Sequence, residues 1–198
     1  MITLTLTKIQ ARDPQFALLE KIRAANPVTQ NQPFPLESVL DSNGLADTLW
    51  LTRCLPEHDL LWRQFAHWCA KQVVHFTNDK RVHDCLDIVE AFNSGSATAE
   101  QLESAWLSIR SVEASAKSEE AAAAARSASA AAAWSASWAA QAASAAAWSA
   151  ASWSAIRTAP NSEIWKAAAE AVKAVEILQT AELREILNNS SVGQPTNP

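Results

Sequence analysis

Four histidines and three cysteines are the residues of this chain best able to bind a metal or attack a substrate, and their spacing suits neither task. Cys54 and His58 stand one helical turn apart across Pro56, and His83 and Cys85 are near neighbours. A structural zinc site draws on two close pairs, usually Cys-x-x-Cys with a second pair downstream, which these spacings do not supply. An odd number of cysteines without paired spacing fits buried thiols in a reducing cytoplasm. Serines are abundant, yet no Gly-x-Ser-x-Gly elbow frames one as a nucleophile. Gly44, Gly95 and Gly193 are the only glycines, so no glycine-rich loop can cradle a phosphate. Glu119 and Glu120 are adjacent and diverge on a helix, which suits solvated charges better than a paired acid and base. No catalytic residue, metal or cofactor is expected.

Two other groups of residues carry binding chemistry. At about 100° per residue, Trp134, Trp138, Trp148 and Trp153 fall within an arc of roughly 140° on one helix. Such a ladder either fills the space between close-packed alanine helices or forms an aromatic surface for a partner protein or a stacked base. The second group, Arg53, Glu57, His58 and Arg63, is a dense polar set amid apolar residues. It reads as a structural network tying two helices together.

The helices that position these groups are legible from caps and periodicity. Ile2, Leu4 and Leu6 alternate with threonines at period two, a strand signal without an obvious partner. It reads as an extended arm, an edge strand pairing between subunits, or a disordered start. Asp13-Pro14 predicts a helix from there to Ala25, with Phe16, Leu19, Ile22 and Arg23 on its faces, and Pro27–Pro35 predicts a linker. Short helices are predicted over Leu36–Asp41, over Leu45–Leu55 and from Pro56 onward. A further helix is capped at Asn78-Asp79, carries the stripe Val82, Leu86, Val89 and Phe92, and ends at Ser94-Gly95. Thr98 and Gln101 form a capping box. Sixty uninterrupted helical residues would reach about 90 Å, so a break is predicted at Ser115–Ser118, with Ser118 capping the helix that opens Glu119-Glu120. A last helix starts at Asn161-Ser162-Glu163 with Ile164, Ala168, Val172, Val175 and Leu178 on one face.

The expected fold is therefore all-α, a multi-helix array with a long Ala/Ser/Trp-rich helical hairpin or bundle and a short N-terminal strand-like segment. Its expected divisions are an N-terminal arm and first helix over 1–34, a short-helix module over 35–95, the Ala/Trp-rich helical region over 96–187 and a disordered tail over 188–198.

Composition narrows the partners. A net charge of −5 argues against nucleic acid, which needs a dense cationic face. Ser127 to Ile156 contains no charged residue and is long enough to cross a bilayer. It holds a single large aliphatic residue, however, so the insertion energy supplied by Leu, Ile, Phe and Val is missing. The opening MITLTLTKIQ lacks the basic start and apolar run of a signal peptide. A soluble, cytoplasmic protein is expected, and the strand-like start with its alanine helices suggests a homo-oligomer.

The chain from about residue 45 to 158 resembles a recurring module of uncharacterised bacterial and phage proteins. Leu55-Pro56-Glu57-His58 and Trp68-Cys69-Ala70 lie on helices that precede a capped helix, and the turn Gly95-Ser96-Ala97-Thr98-Ala99-Glu100-Gln101-Leu102 leads into Ala/Trp-rich repeats. The alanine-rich helices are also similar to those of immunity proteins from toxin–immunity loci. This resemblance brings no catalytic residues. It implies a non-enzymatic interaction protein, phage- or mobile-element-encoded, that binds and neutralises another protein such as a toxin or a bacterial defence component. The alternative is a small-molecule binder, a sponge for a nucleotide signal, using Trp stacking with Arg126 or Arg157 against phosphate. An enzyme with a site near His58 is the third class.

Overall fold

Thr5 decides where the N-terminal alternation stops. Its backbone is extended, and its hydroxyl oxygen accepts the Lys8 N–H at 3.2 Å, so it caps a helix rather than continuing a strand. The computed structural model describes residues 1–116, 118–133 and 161–190. Strand β1 (Thr3–Leu4) precedes α1 (Leu6–Gln10), and Ile2, Leu4, Leu6 and Ile9 are all buried. The strand has a partner within the chain. It pairs antiparallel with β2 (Phe34–Pro35), Thr3 opposite Pro35 and Leu4 opposite Phe34. A reading by alternation missed β2 because it is two residues long and half proline. A two-stranded ribbon tolerates proline because one side of each strand needs no partner.

The chain forms two compact units, Met1–Asp59 with the stretch from Gln179, and Leu60–Leu178. In the first unit, Asp13 adopts φ +51 directly after α1. Asp13-Pro14 therefore closes that turn instead of opening the next helix, and α2 (Phe16–Ala25) starts later, with Gln15 as an N-cap that makes no side-chain bond. Aspartate tolerates this left-handed geometry better than most residues. Leu18, Leu19 and Ile22 are buried, whereas Phe16 is exposed. Helices α3 (Leu36–Asn43) and α4 (Leu45–Leu51) meet at Gly44, whose φ of +87 disfavours a side chain. The predicted helix to Leu55 ends early. Pro56 lacks an N–H and pushes Leu55 out of helical geometry, so the chain runs through two 3-10 turns, Thr52–Cys54 and Pro56–His58.

The second unit is built from α5 (Asp59–Val73), a 3-10 turn at Val74–Phe76, α6 (Lys80–Asn93), α7 (Ala99–Ser115) and α8 (Glu119–Ala132). The starts of α6, α7 and α8 match their predicted caps, whereas α5 begins at Asp59, later than the predicted restart at Pro56. Asp79 Oδ1 accepts the Arg81 N–H at 3.0 Å, Thr98 and Gln101 form the full capping box, and Ser118 Oγ accepts the Ala121 N–H at 3.2 Å. Gly95, at φ +79, follows the end of α6 as predicted. The four consecutive residues Ala122 to Ala125 are buried, so α8 is enclosed all round at this turn, while Arg126 and Ala130 further along are half-buried. It packs against α6, α7 and the Val74–Phe76 turn. Alanine is what lets a helix sit there, because larger side chains would hold the neighbours away.

Helix α9 (Asn161–Asn189) runs into the segment predicted as tail, and residues 191–198 lie outside the described residues. Its Leu178, expected on the apolar face with Ala168, is 53% exposed. Gln179, Leu183 and Leu187 are buried instead, following i, i+4 spacing. Among the described residues no helix is long and apolar enough to cross a membrane.

Candidate functional site

The cysteines are placed as packing groups. Cys54, Cys69 and Cys85 are free and buried. Burial pushes the Cys85 thiol up to about 12. Burial also raises Cys54, opposed by the nearby charges of Arg12, Arg53 and Lys8. A thiol shifted this way holds little thiolate at neutral pH and is a poor nucleophile. Among the described residues no group of three or more His, Cys, Asp or Glu could hold a metal ion.

The polar set around Pro56 is distributed over several neighbours. Glu57 accepts from Lys8 Nζ of α1 at 2.7 Å, and that bond holds its carboxyl below the usual range. The Arg53 guanidinium lies 4.8 Å from the Trp50 ring centroid, and Arg63 lies 5.0 Å from that of Phe92 on α6. His58 is half-buried in the Pro56–His58 turn, where its N–H bonds the Leu55 carbonyl at 3.0 Å. Arg53, Glu57 and His58 belong to the first unit and Arg63 to the second.

Trp134, Trp138, Trp148, Trp153 and Arg157 lie outside the described residues. Arg126 sits on α8, half-buried, and its Nη2 bonds Glu119 Oε1 one helical stretch earlier at 2.5 Å.

A site that periodicity did not single out lies where the first half of α7 meets the last residues of α8. Leu102, Trp106, Ala132 and Ala133 line an open, largely apolar groove of about 290 Å³, with Glu103 at its edge. Leu102 and Ala132 form its buried floor, and Trp106 is half-buried. The Arg110 guanidinium covers the Trp106 ring at 5.2 Å from its centroid. Leu107, next along α7, is 54% exposed. The sequence signal was the Trp106/Arg110 pair at i, i+4, which places both on one face of α7 beside an exposed leucine. The chemistry available here is recognition: an apolar recess, an indole and a cation. Trp and Arg are the residues most enriched at binding hot spots.

On the α5–α6 side, His67 Nε2 lies 4.0 Å from Glu90 Oε2, too far for a hydrogen bond, and has no hydrogen-bond partner among the described residues. Burial, reinforced by the Lys71 charge, holds the imidazole below its ordinary value and keeps it neutral.

No family model matches the chain, and comparison with curated proteins and with solved structures returns no match.

Proposed function

We infer that this chain is a non-enzymatic interaction protein that binds and neutralises another protein, a toxin or bacterial defence component, on behalf of a phage or mobile element. The observation that supports this reading is the groove at Trp106. Its recess has room for an apolar side chain, it is bordered by a stacked Trp–Arg pair, and Leu107 extends the apolar area outward. Such a feature suits a partner that inserts an apolar side chain and presents a carboxylate to Arg110. The resemblance to immunity and phage proteins points the same way, and the buried free thiols fit a cytoplasmic setting.

The nucleotide-sponge alternative draws on Arg126 and Arg157 as phosphate ligands. Arg126 gives it little, because its guanidinium is engaged by Glu119. A homo-oligomer belongs to the reading through the alanine-rich helices alone, since β1 has its partner within the chain. Light scattering at high concentration tests it: a mass of one chain, 21.4 kDa, removes the oligomer. The function itself is tested by affinity capture from the encoding cell with the full chain and with Ala133→Lys, which sets a charge in the groove at a helix C-terminus that tolerates it. The reading expects a stoichiometric protein partner that the variant loses. Capture of no protein, or equal capture by both, would overturn it.

A further inference from the structure

A second concavity of the Leu60–Leu178 unit lies where the Val74–Phe76 turn and the start of α6 meet the α7–α8 corner. Its volume is about 480 Å³, within the range of small-ligand sites. Phe76, Val112 and Ala121 give it apolar walls, and Thr77, Asn78 and Asp79 give it polar ones. Thr77 is only 8% exposed. Its Oγ1 accepts the Asp79 N–H at 3.2 Å, and its carbonyl oxygen meets His83 Nε2 at 3.0 Å. Its hydroxyl proton has no acceptor among the described residues. Buried hydroxyls are normally satisfied, so a missing acceptor on a cavity wall marks the place where a ligand supplies one. The Asn78 side chain is likewise uncommitted among the described residues.

The electrostatics limit the ligand's charge. Asp79 is the one charged side chain in the wall among the described residues. Arg81 holds both its oxygens, Nε on Oδ1 at 3.0 Å and Nη2 on Oδ2 at 2.6 Å, and a further bond ties Arg81 to Ser111 of α7 at 2.9 Å. That arrangement balances the wall and leaves, among the described lining residues, no cation to meet a phosphate.

We propose that this cavity is a binding site for an uncharged planar heterocycle, a nucleobase or nucleoside, with a ring nitrogen or carbonyl accepting from Thr77, a donor–acceptor edge on Asn78, and its flat body between Phe76, Val112 and Ala121. This site is independent of the protein-binding groove, and either stands if the other fails. The test is amide proton–nitrogen correlation NMR of the full chain titrated with adenosine, cytidine, nicotinamide and adenosine monophosphate at millimolar concentration. At least one uncharged probe shifts the amides of Thr77, Asn78 and Ala121, and the monophosphate binds more weakly than adenosine. Thr77→Val weakens binding about fivefold to tenfold by removing one hydrogen bond. Ala121→Phe fills the cavity and abolishes the shifts, and Val112→Phe does so from the opposite wall should the first variant fold poorly. The proposal is overturned if no uncharged probe shifts these amides, if the monophosphate binds tighter than adenosine, or if the shifts persist in a folded, filled variant.

Discussion

Arg184, near the end of α9, donates from Nη2 to Asp41 Oδ1 of α3 at 2.7 Å across 143 residues of chain. Its Nη1 reaches Glu37 Oε1, one turn earlier on α3, at 3.2 Å. One guanidinium thus clamps the C-terminal helix onto two successive turns of α3, beside the buried Leu183 and Leu187. All three charged groups are substantially exposed, so solvent screens the clamp and the leucines carry most of the docking. Arg184→Ala is expected to lower the melting temperature by no more than a few degrees, and the difference should shrink in high salt. Loss of folding, or a difference insensitive to salt, would show that the clamp matters more than its exposure implies.

The capping box at the start of α7 sets the boundary of a helix that lines both concavities. Thr98→Ala should destabilise the protein by about 1 kcal/mol, and Thr98→Asp should restore most of it, because either oxygen can accept the Gln101 N–H. Chemical denaturation midpoints at unchanged slope check this.

Local chemistry was the readable part of the chain. Asp79, Gly95, Thr98 and Ser118 each act on backbone within three residues, and each stands where the sequence placed it. Features that depend on distant partners were not readable. Nothing near Leu4 announces that Phe34 pairs with it, and a period-two pattern cannot say that its third member, Leu6, starts a helix. Apolar spacing puts Leu178 on one face with Ala168 and Val175, while the buried position belongs to Gln179. For the site, spacing singles out the tryptophan ladder over 134–153 and not Trp106. What sets Trp106 apart is a groove made with Ala132 and Ala133, which depends on how α7 and α8 cross.

His67 makes stability depend on pH. Its folded value is lowered by burial and by Lys71, against opposing contributions from Glu90 and Asp87 on α6. A lowered folded value means the unfolded chain takes up the proton first as pH falls. The contribution is therefore complete above the ordinary value of 6.5 and is lost as pH drops toward the folded one. Melting temperatures at pH 7.5 and 5.5 should converge for His67→Gln relative to the unmodified chain. An identical pH dependence in the two proteins would remove His67 from this role.

Enclosure of α8 predicts intolerance of size. Ala128 is fully buried, so Ala128→Leu should cost about 1–3 kcal/mol through overpacking. Ala130, only half-buried on the same helix, should accept leucine with a smaller loss. Equal effects at both positions, read from denaturation curves, would mean that Ala128 is no more tightly enclosed than Ala130.

The central claim is that the Trp106 groove binds another protein, and calorimetry tests it most directly. The partner captured by the full chain is titrated against the unmodified protein and against Trp106→Ala, with melting temperatures recorded for both. A hot-spot tryptophan contributes about 2 kcal/mol or more, so affinity should fall at least about 30-fold while the half-buried site leaves stability little changed. An affinity that stays within about twofold in a folded Trp106→Ala protein would contradict the account.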